Sequence, residues 1–257
     1  MEYFLDHPWA LGGLLLIVLA VVLELGRLVA AHAKIEQKPQ HKEQLGTIRD
    51  GLFVLLSLLL GFSLTFATAR AVERRSLLVE EATAIGTTYL RAATLPPPYR
   101  DHSRQLLRDY ADSCLDLNSI VYGSRPTEAA RHASSILEEL WTDAAAVAQA
   151  DHSAVIAVYL SSLNETIDLH EKRVAAFENH VPKAVWFMVL GVSLIAVFTR
   201  GATFSGRYWL TLMLVPVTIA LVVGLTADLD TPTHGLLRLD QRPLLRLKAE
   251  MSVESAK

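Results

Sequence analysis

The stretch that decides the fold is GLFVLLSLLLGFSLTFATA, residues 51–69, which carries no charge from end to end. A helix of about 20 apolar residues crosses a hydrocarbon core of roughly 30 Å. Three other runs have the same character: Trp9 to about Ala31, Val181 to Thr199 and Tyr208 to Ala227. Lipid offers backbone amides no hydrogen-bond partners, so open-ended spans must be helices. The first run holds Glu24 and, three residues on, Arg27, a spacing at which helical side chains pair. It reads as a retained helix. The chain opens on Met-Glu-Tyr-Phe-Leu-Asp, whereas a signal peptide opens on basic residues and has an apolar core of only about 7–15. Trp9, Trp186, Tyr208 and Trp209 lie near span ends, where amphipathic rings prefer the interface.

Composition agrees. Of 257 residues, 51% are hydrophobic and 20% charged, against about 25% charged in soluble domains. An ordinary soluble globule and a disordered chain are both excluded. One cysteine, Cys114, excludes a disulfide scaffold. The net charge of −3 gives no reason to expect a nucleic-acid partner.

Outward from span two, residues 70–180 are polar yet keep a helical period. Leu78, Ala82, Ile85 and Tyr89 form one stripe, and Leu106, Tyr110, Cys114, Leu117 and Val121 a second. Leu137, Leu140, Trp141, Ala144 and Val147 form a third, and Ile156, Leu160, Leu163, Ile167, Val174 and Phe177 a fourth. No stretch alternates as a strand would. Pro96-Pro97-Pro98 ends one helix, and the next begins at Pro98 or Tyr99, because proline suits a first helical turn. Gly123 to Pro126 is a turn, with Thr127 as an N-cap and Asp151 as the cap of the next helix. The expected fold is therefore an all-α integral membrane protein. Four transmembrane helices carry a helical, water-exposed domain inserted between helices 2 and 3. Its parts are 1–69, 70–180, 181–227 and a tail, 228–257.

Nothing from Gly51 to Ala93 breaks a helix except Gly61 and Gly86, so span two continues as a rod on the order of 60 Å long. The helix from Asp151 feeds span three, with a kink or restart at Pro182. Ala33 to Asp50 reads as a charged loop, Arg200 to Arg207 as a turn, and the leucine- and arginine-rich tail as a surface-lying or subunit-packing segment. Lysine and arginine mark cytoplasmic loops. Arg27, Lys34, Lys38, Lys42 and Arg49 in the first loop, with Arg200 and Arg207 in the last, place the middle domain and both termini outside, on the periplasmic side. Arg70, Arg74, Arg75, Lys172, Arg173 and Lys183 on the other face weaken that asymmetry.

Motifs of catalysis are missing. There is no P-loop, dinucleotide fingerprint, His-Glu-x-x-His or Cys-x-x-Cys, so neither an enzyme nor a cofactor is expected. His152, His170 and His180 read as solvated helix histidines. In span two, Ser57, Gly61, Thr65 and Thr68 form a small polar stripe, and Leu58, Phe62 and Phe66 form an apolar stripe at four-residue steps. Small residues let helices pack closely. A ring of such helices would instead line a pore with hydroxyls or a constriction that gates by dewetting. Asp228 and Asp230 read as a solvated turn after span four or as weak ligands for a hard cation.

Glu81-Ala-Thr-Ala-Ile-Gly86-Thr-Thr-Tyr89-Leu-Arg91, then Leu95-Pro96-Pro97-Pro98-Tyr99-Arg100 and Leu106-Leu-Arg-Asp-Tyr110, resemble a bacterial family known as bestrophin-like, once a domain of unknown function. Asp228-Leu-Asp-Thr-Pro232 through Gly235 resembles it too. The resemblance spans nearly the whole chain. It implies a pentameric channel, chiefly for small anions, in the bacterial inner membrane, with span two lining a hydrophobic neck. Leu58, Phe62 and Phe66 are similar to that neck in type and spacing. The bestrophin calcium clasp has only Asp228 and Asp230 to correspond to it. The resemblance also implies a cytosolic helical domain, against the charge count. The other reading is a non-conducting membrane protein whose helical domain binds a protein partner.

Overall fold

The computed structural model describes residues 8–32, 39–119, 128–204, 209–231, 236 and 239–255. Among these, every regular element is an α-helix. They are α1 (Pro8–His32), α2 (Pro39–Ala92), α3 (Tyr99–Ser119), α4 (Glu128–Ala150), α5 (Ala154–Glu178), α6 (Lys183–Thr203), α7 (Trp209–Asp230) and α8 (Arg242–Ser255). Four of the helical stretches are long and apolar enough to cross a membrane. The turn at Gly123 to Thr127, and Arg207, Tyr208, Pro232 and Gly235, lie outside the described residues.

The chain divides into two compact units. The first comprises Met1–Ala71 and His180–Leu237. In it α1 packs along α6 and α7. Leu15, Leu19 and Leu23 of α1 meet Val189, Ala196 and Val197 of α6 and Leu212, Ile219 and Val223 of α7, and Leu56 joins them from α2. Glycine sets the spacing. A methyl on Gly26 would strike the Phe198 carbonyl oxygen, and one on Gly201 would strike that of Leu23. A methyl on Gly12 would stand 3.3 Å from the Ala220 oxygen and 3.5 Å from Gly224 Cα. Inside lipid, helices gain little from burying apolar area against each other, so close backbone approach through small residues supplies the packing.

The second unit comprises Val72–Asn179 and Arg238–Lys257. Its core follows the four stripes read from the sequence. Leu78, Ile85 and Tyr89 of α2 pack with Leu107 and Tyr110 of α3, Leu140 and Ala144 of α4, and Tyr159 and Leu163 of α5. Trp141 departs from its stripe and is exposed. At Thr88 the α2–α5 contact is polar: its hydroxyl meets Thr166 Oγ1 at 3.0 Å and donates to the Ser162 carbonyl at 2.9 Å.

Four expectations need correction. Residues 39–50 are not loop: α2 begins at Pro39, because a first-turn proline lacks only an amide that has no helical partner there. α2 thus runs for 54 residues, about 80 Å at the usual helical rise. The tail is not surface-lying: Leu244, Leu247 and Met251 of α8 are buried in the core of the second unit. Asp151 does not cap α5 directly. Ser153 holds the N-cap position, and Asp151 accepts from the Ser153 amide at 2.9 Å and hydroxyl at 3.1 Å. Arg74 and Arg173 are not free flanking charges, since both are buried. Arg74 donates to the carbonyls of Ala176 and Asn179, covering the acceptors that every helix C-terminus leaves open. The restart at Pro182 is present, as the N-cap of α6.

Candidate functional site

Two places hold the residues singled out by sequence. The first is α2 within the first unit. Leu56, Ser63 and Ala67 are buried, Leu56 in the cluster with α1, α6 and α7, and they define the inward side. Leu58, Phe62 and Phe66 lie on another side, and each is 54% exposed. The described residues leave about half of each of these side chains uncovered. Ser57 and Thr65 are also exposed, and their hydroxyls donate to their own helix, at Val54 and Gly61, over 2.8 and 2.9 Å. Thr68 does the same to Leu64. Back-bonding of this kind hides the hydroxyl proton, so the stripe offers small, half-satisfied acceptors.

Asp228 and Asp230 are buried, which corrects the reading of a solvated turn. The Asp230 carboxylate accepts from the Val181 amide at 3.0 and 3.2 Å. His180 Nδ1 stands 3.3 Å from the Asp230 carbonyl. Asp228 Oδ1 accepts from the Leu236 amide at 2.9 Å. These contacts tie the start of α6 to the end of α7. Among the described residues no three metal-ligating side chains converge.

The second place is in the second unit, built around Glu81. Sequence reasoning placed Glu81 in the family motif, counted Arg173 as a flanking charge and took His170 as solvated. The structure brings all three together, each 2% exposed or less. Arg173 pairs through Nη1 with Glu81 Oε2, and its Nη2 donates to the Cys114 carbonyl at 2.9 Å. Tyr110 donates to Glu81 Oε1 at 2.7 Å. Having one proton, the Tyr110 hydroxyl must then accept from His170 Nδ1, 3.0 Å away. His170 Nδ1 therefore carries a proton, and its Nε2 lies 3.4 Å from Ser134 Oγ. α2, α3, α4 and α5 are thereby joined through one polar cluster.

Burial by itself would raise the Glu81 carboxyl, but the Arg173 guanidinium outweighs it, with help from His170 and Tyr110, and holds it at about 2. Burial, with Glu81 alongside, pushes the Cys114 thiol up to about 12, so this cysteine stays a protonated core residue. Burial also raises the Tyr110 phenol, and the neighbouring Glu81 carboxylate adds to it. A depressed carboxyl contributes stability above its unfolded value of 4.5 and loses it as pH falls toward about 2. Urea midpoints of the detergent-solubilised protein should therefore drop between pH 4.5 and 2 by more than those of a Glu81→Gln variant. Parallel profiles would refute the assignment.

The remaining motif residues serve packing. Gly86 admits Leu247 of α8, whose Cδ1 would stand 3.1 Å from an added methyl. Tyr89 donates to the Met251 carbonyl at 3.3 Å, accepts from Arg108 at 2.9 Å and lies under the Arg104 guanidinium at 4.4 Å. Arg91 donates to the Val158 carbonyl. Leu95 to Arg100 turn the chain from α2 into α3, with Tyr99 at the first helical position, partly buried against the core. Arg100 lies beside Asp101 on the surface.

A family model for the Bestrophin-like domain matches residues 13–244. The chain belongs to that family and is an integral membrane protein. Its fold is that of crystal structures of a bestrophin homologue from Klebsiella pneumoniae. Two single-residue variants of it match with TM-scores of 0.69 and 0.68 at 16% identity, over 94% of this chain and 97% and 99% of theirs. Another crystal structure, described only as a membrane protein variant, matches with a TM-score of 0.67 at 15% identity, over 94% of this chain and 99% of its own. No curated protein matches the sequence.

Proposed function

We propose that this chain is one subunit of a homo-oligomeric, bestrophin-like ion channel, with α2 lining the pore. Leu58, Phe62 and Phe66 form its neck, and Ser57 and Thr65 border it. The observation that carries this is the exposed row of Leu58, Phe62 and Phe66 on a membrane helix. In a ring of identical chains such a row makes a narrow apolar constriction, which resists ion passage by excluding water. In this reading five chains surround the axis, small anions are the permeant species and the setting is the bacterial inner membrane. Residues 70–180 then form the water-exposed domain. Asp228 and Asp230 hold the chain beside the last span.

Reconstituted into planar lipid bilayers, the protein should carry current. Phe62→Ala with Phe66→Ala should raise that current severalfold, because a wider, wetter neck lowers the barrier. Silence of the wild type in all salts, or a double variant with unchanged current, would overturn the assignment.

A further inference from the structure

The last turn of α6 carries basic groups that the channel reading does not use. Arg200 and Thr203 are three residues apart there and share a helical face. Arg49 of α2 reaches the same face, donating from Nη1 to Thr203 Oγ1 at 3.2 Å. Thr203 in turn donates to the Thr199 carbonyl at 2.9 Å. Arg200 lies over the Phe204 ring at 5.5 Å, and its Nε is shielded from solvent with no hydrogen-bond partner among the described residues. Ring and helix hold this guanidinium in place, and no carboxylate of the described residues pairs with it. The other two described arginines at this end are paired with carboxylates. Arg27 is bound by Glu24 at 2.6 Å, and Arg49 by Asp50 at 2.7 Å.

We infer that Arg200, with Arg49 and Thr203 beside it, binds the phosphate of an anionic phospholipid headgroup at this end of the membrane unit. A guanidinium matches a phosphate diester with two parallel hydrogen bonds, and basic pockets between membrane helices take such headgroups. The apolar flank is present as well. Ile195 of α6 and Leu25 and Leu28 of α1 are exposed, where acyl chains would lie. Asp50 is 67% exposed, and an exposed ion pair is worth little, so phosphate can take its place on Arg49. The inference rests only on the chain being membrane-embedded and stands whether or not it conducts.

The test is thermal unfolding of the full chain in vesicles of phosphatidylcholine alone and with phosphatidylglycerol added in steps. Phosphatidylglycerol should raise the midpoint and saturate. Arg200→Gln should shift the half-saturating fraction upward by about fivefold, the weight of one basic contact with an anionic surface. Arg49→Gln should shift it less. Arg75→Gln, an exposed position in the second unit, is the control and should leave it unchanged. Should Arg200→Gln fold poorly, Arg200→Lys keeps the charge and should give an intermediate shift. An equal response in Arg200→Gln and wild type would overturn the site. So would an equal midpoint rise from soluble glycerol phosphate in pure phosphatidylcholine, which would make it a site for free phosphate.

Discussion

Glu81→Gln should lower the unfolding free energy by about 3–5 kcal/mol, the usual loss when one member of a buried ion pair is removed. The Arg173 guanidinium, 3% exposed in its side chain, would keep its charge and lose its counter-ion. The neutral amide would also meet the Tyr110 hydroxyl and the Cys114 thiol, which both donate to Glu81 Oε1 in the native protein. Only a carboxylate accepts at both oxygens from Arg173, Tyr110 and Cys114 together. Glu81→Met combined with Arg173→Leu removes both charges and should recover most of the loss, since an apolar pair avoids desolvating two ions. Urea unfolding in mild detergent, followed by circular dichroism, reads all three proteins. A single variant within about 0.5 kcal/mol of wild type would place Glu81 with ordinary surface positions and remove the buried cluster as a determinant of the fold.

That cluster also shows where sequence reading ran out. The spans were legible because hydropathy alone marks them. The helices of the second unit were legible because leucine, isoleucine and tyrosine recur at three and four residues and prolines break the runs. Charge burial was not, because Glu80-Glu81 and Glu171-Lys172-Arg173 look like solvated surface. A signal was present nonetheless. Glu81 falls in phase with Leu78 and Ile85, and Arg173 in phase with Leu163, Thr166 and His170. An acid on one apolar stripe and a base on another predict each other. The docking of α8 had no such signal: its apolar residues were evident, but the surface that receives them belongs to a distant part of the chain. Residues 39–50 were misread because a charged stretch holding Pro39 looks like a linker, and nothing in its composition separates that from a proline opening a helix. For α2 in the membrane, spacing revealed the row of Leu58, Phe62 and Phe66, while the same spacing also suits packing. That row is exposed, and the inward burial of Ser63 and Ala67 shows which side packs.

Gly201→Val should destabilise the first unit by about 3 kcal/mol or more, at or above the upper end of ordinary overpacking. The reason is the kind of atom that would be struck. A side chain placed too close to another side chain can often turn away. Here a methyl at Gly201 meets the Leu23 carbonyl oxygen and stands 3.2 Å from the Arg27 amide nitrogen, all of it backbone. α1 and α6 could separate only by giving up the reciprocal approach at Gly26, where a methyl would meet Phe198 and lie 3.2 Å from the Ala202 amide nitrogen. The two glycines are therefore coupled. Gly26→Ala and Gly201→Ala should each be harmful, and the double variant should lose less than their sum, because one separation relieves both clashes. Gly13→Val is the control. Nothing lies within 4 Å of a methyl there, so it should stay within about 0.5 kcal/mol of wild type. The measurement is the thermal midpoint in detergent with yield of folded protein as a second readout. Tolerance of valine at Gly201 would mean that α1 and α6 do not cross at backbone contact, and the arrangement of the membrane unit would have to be redrawn.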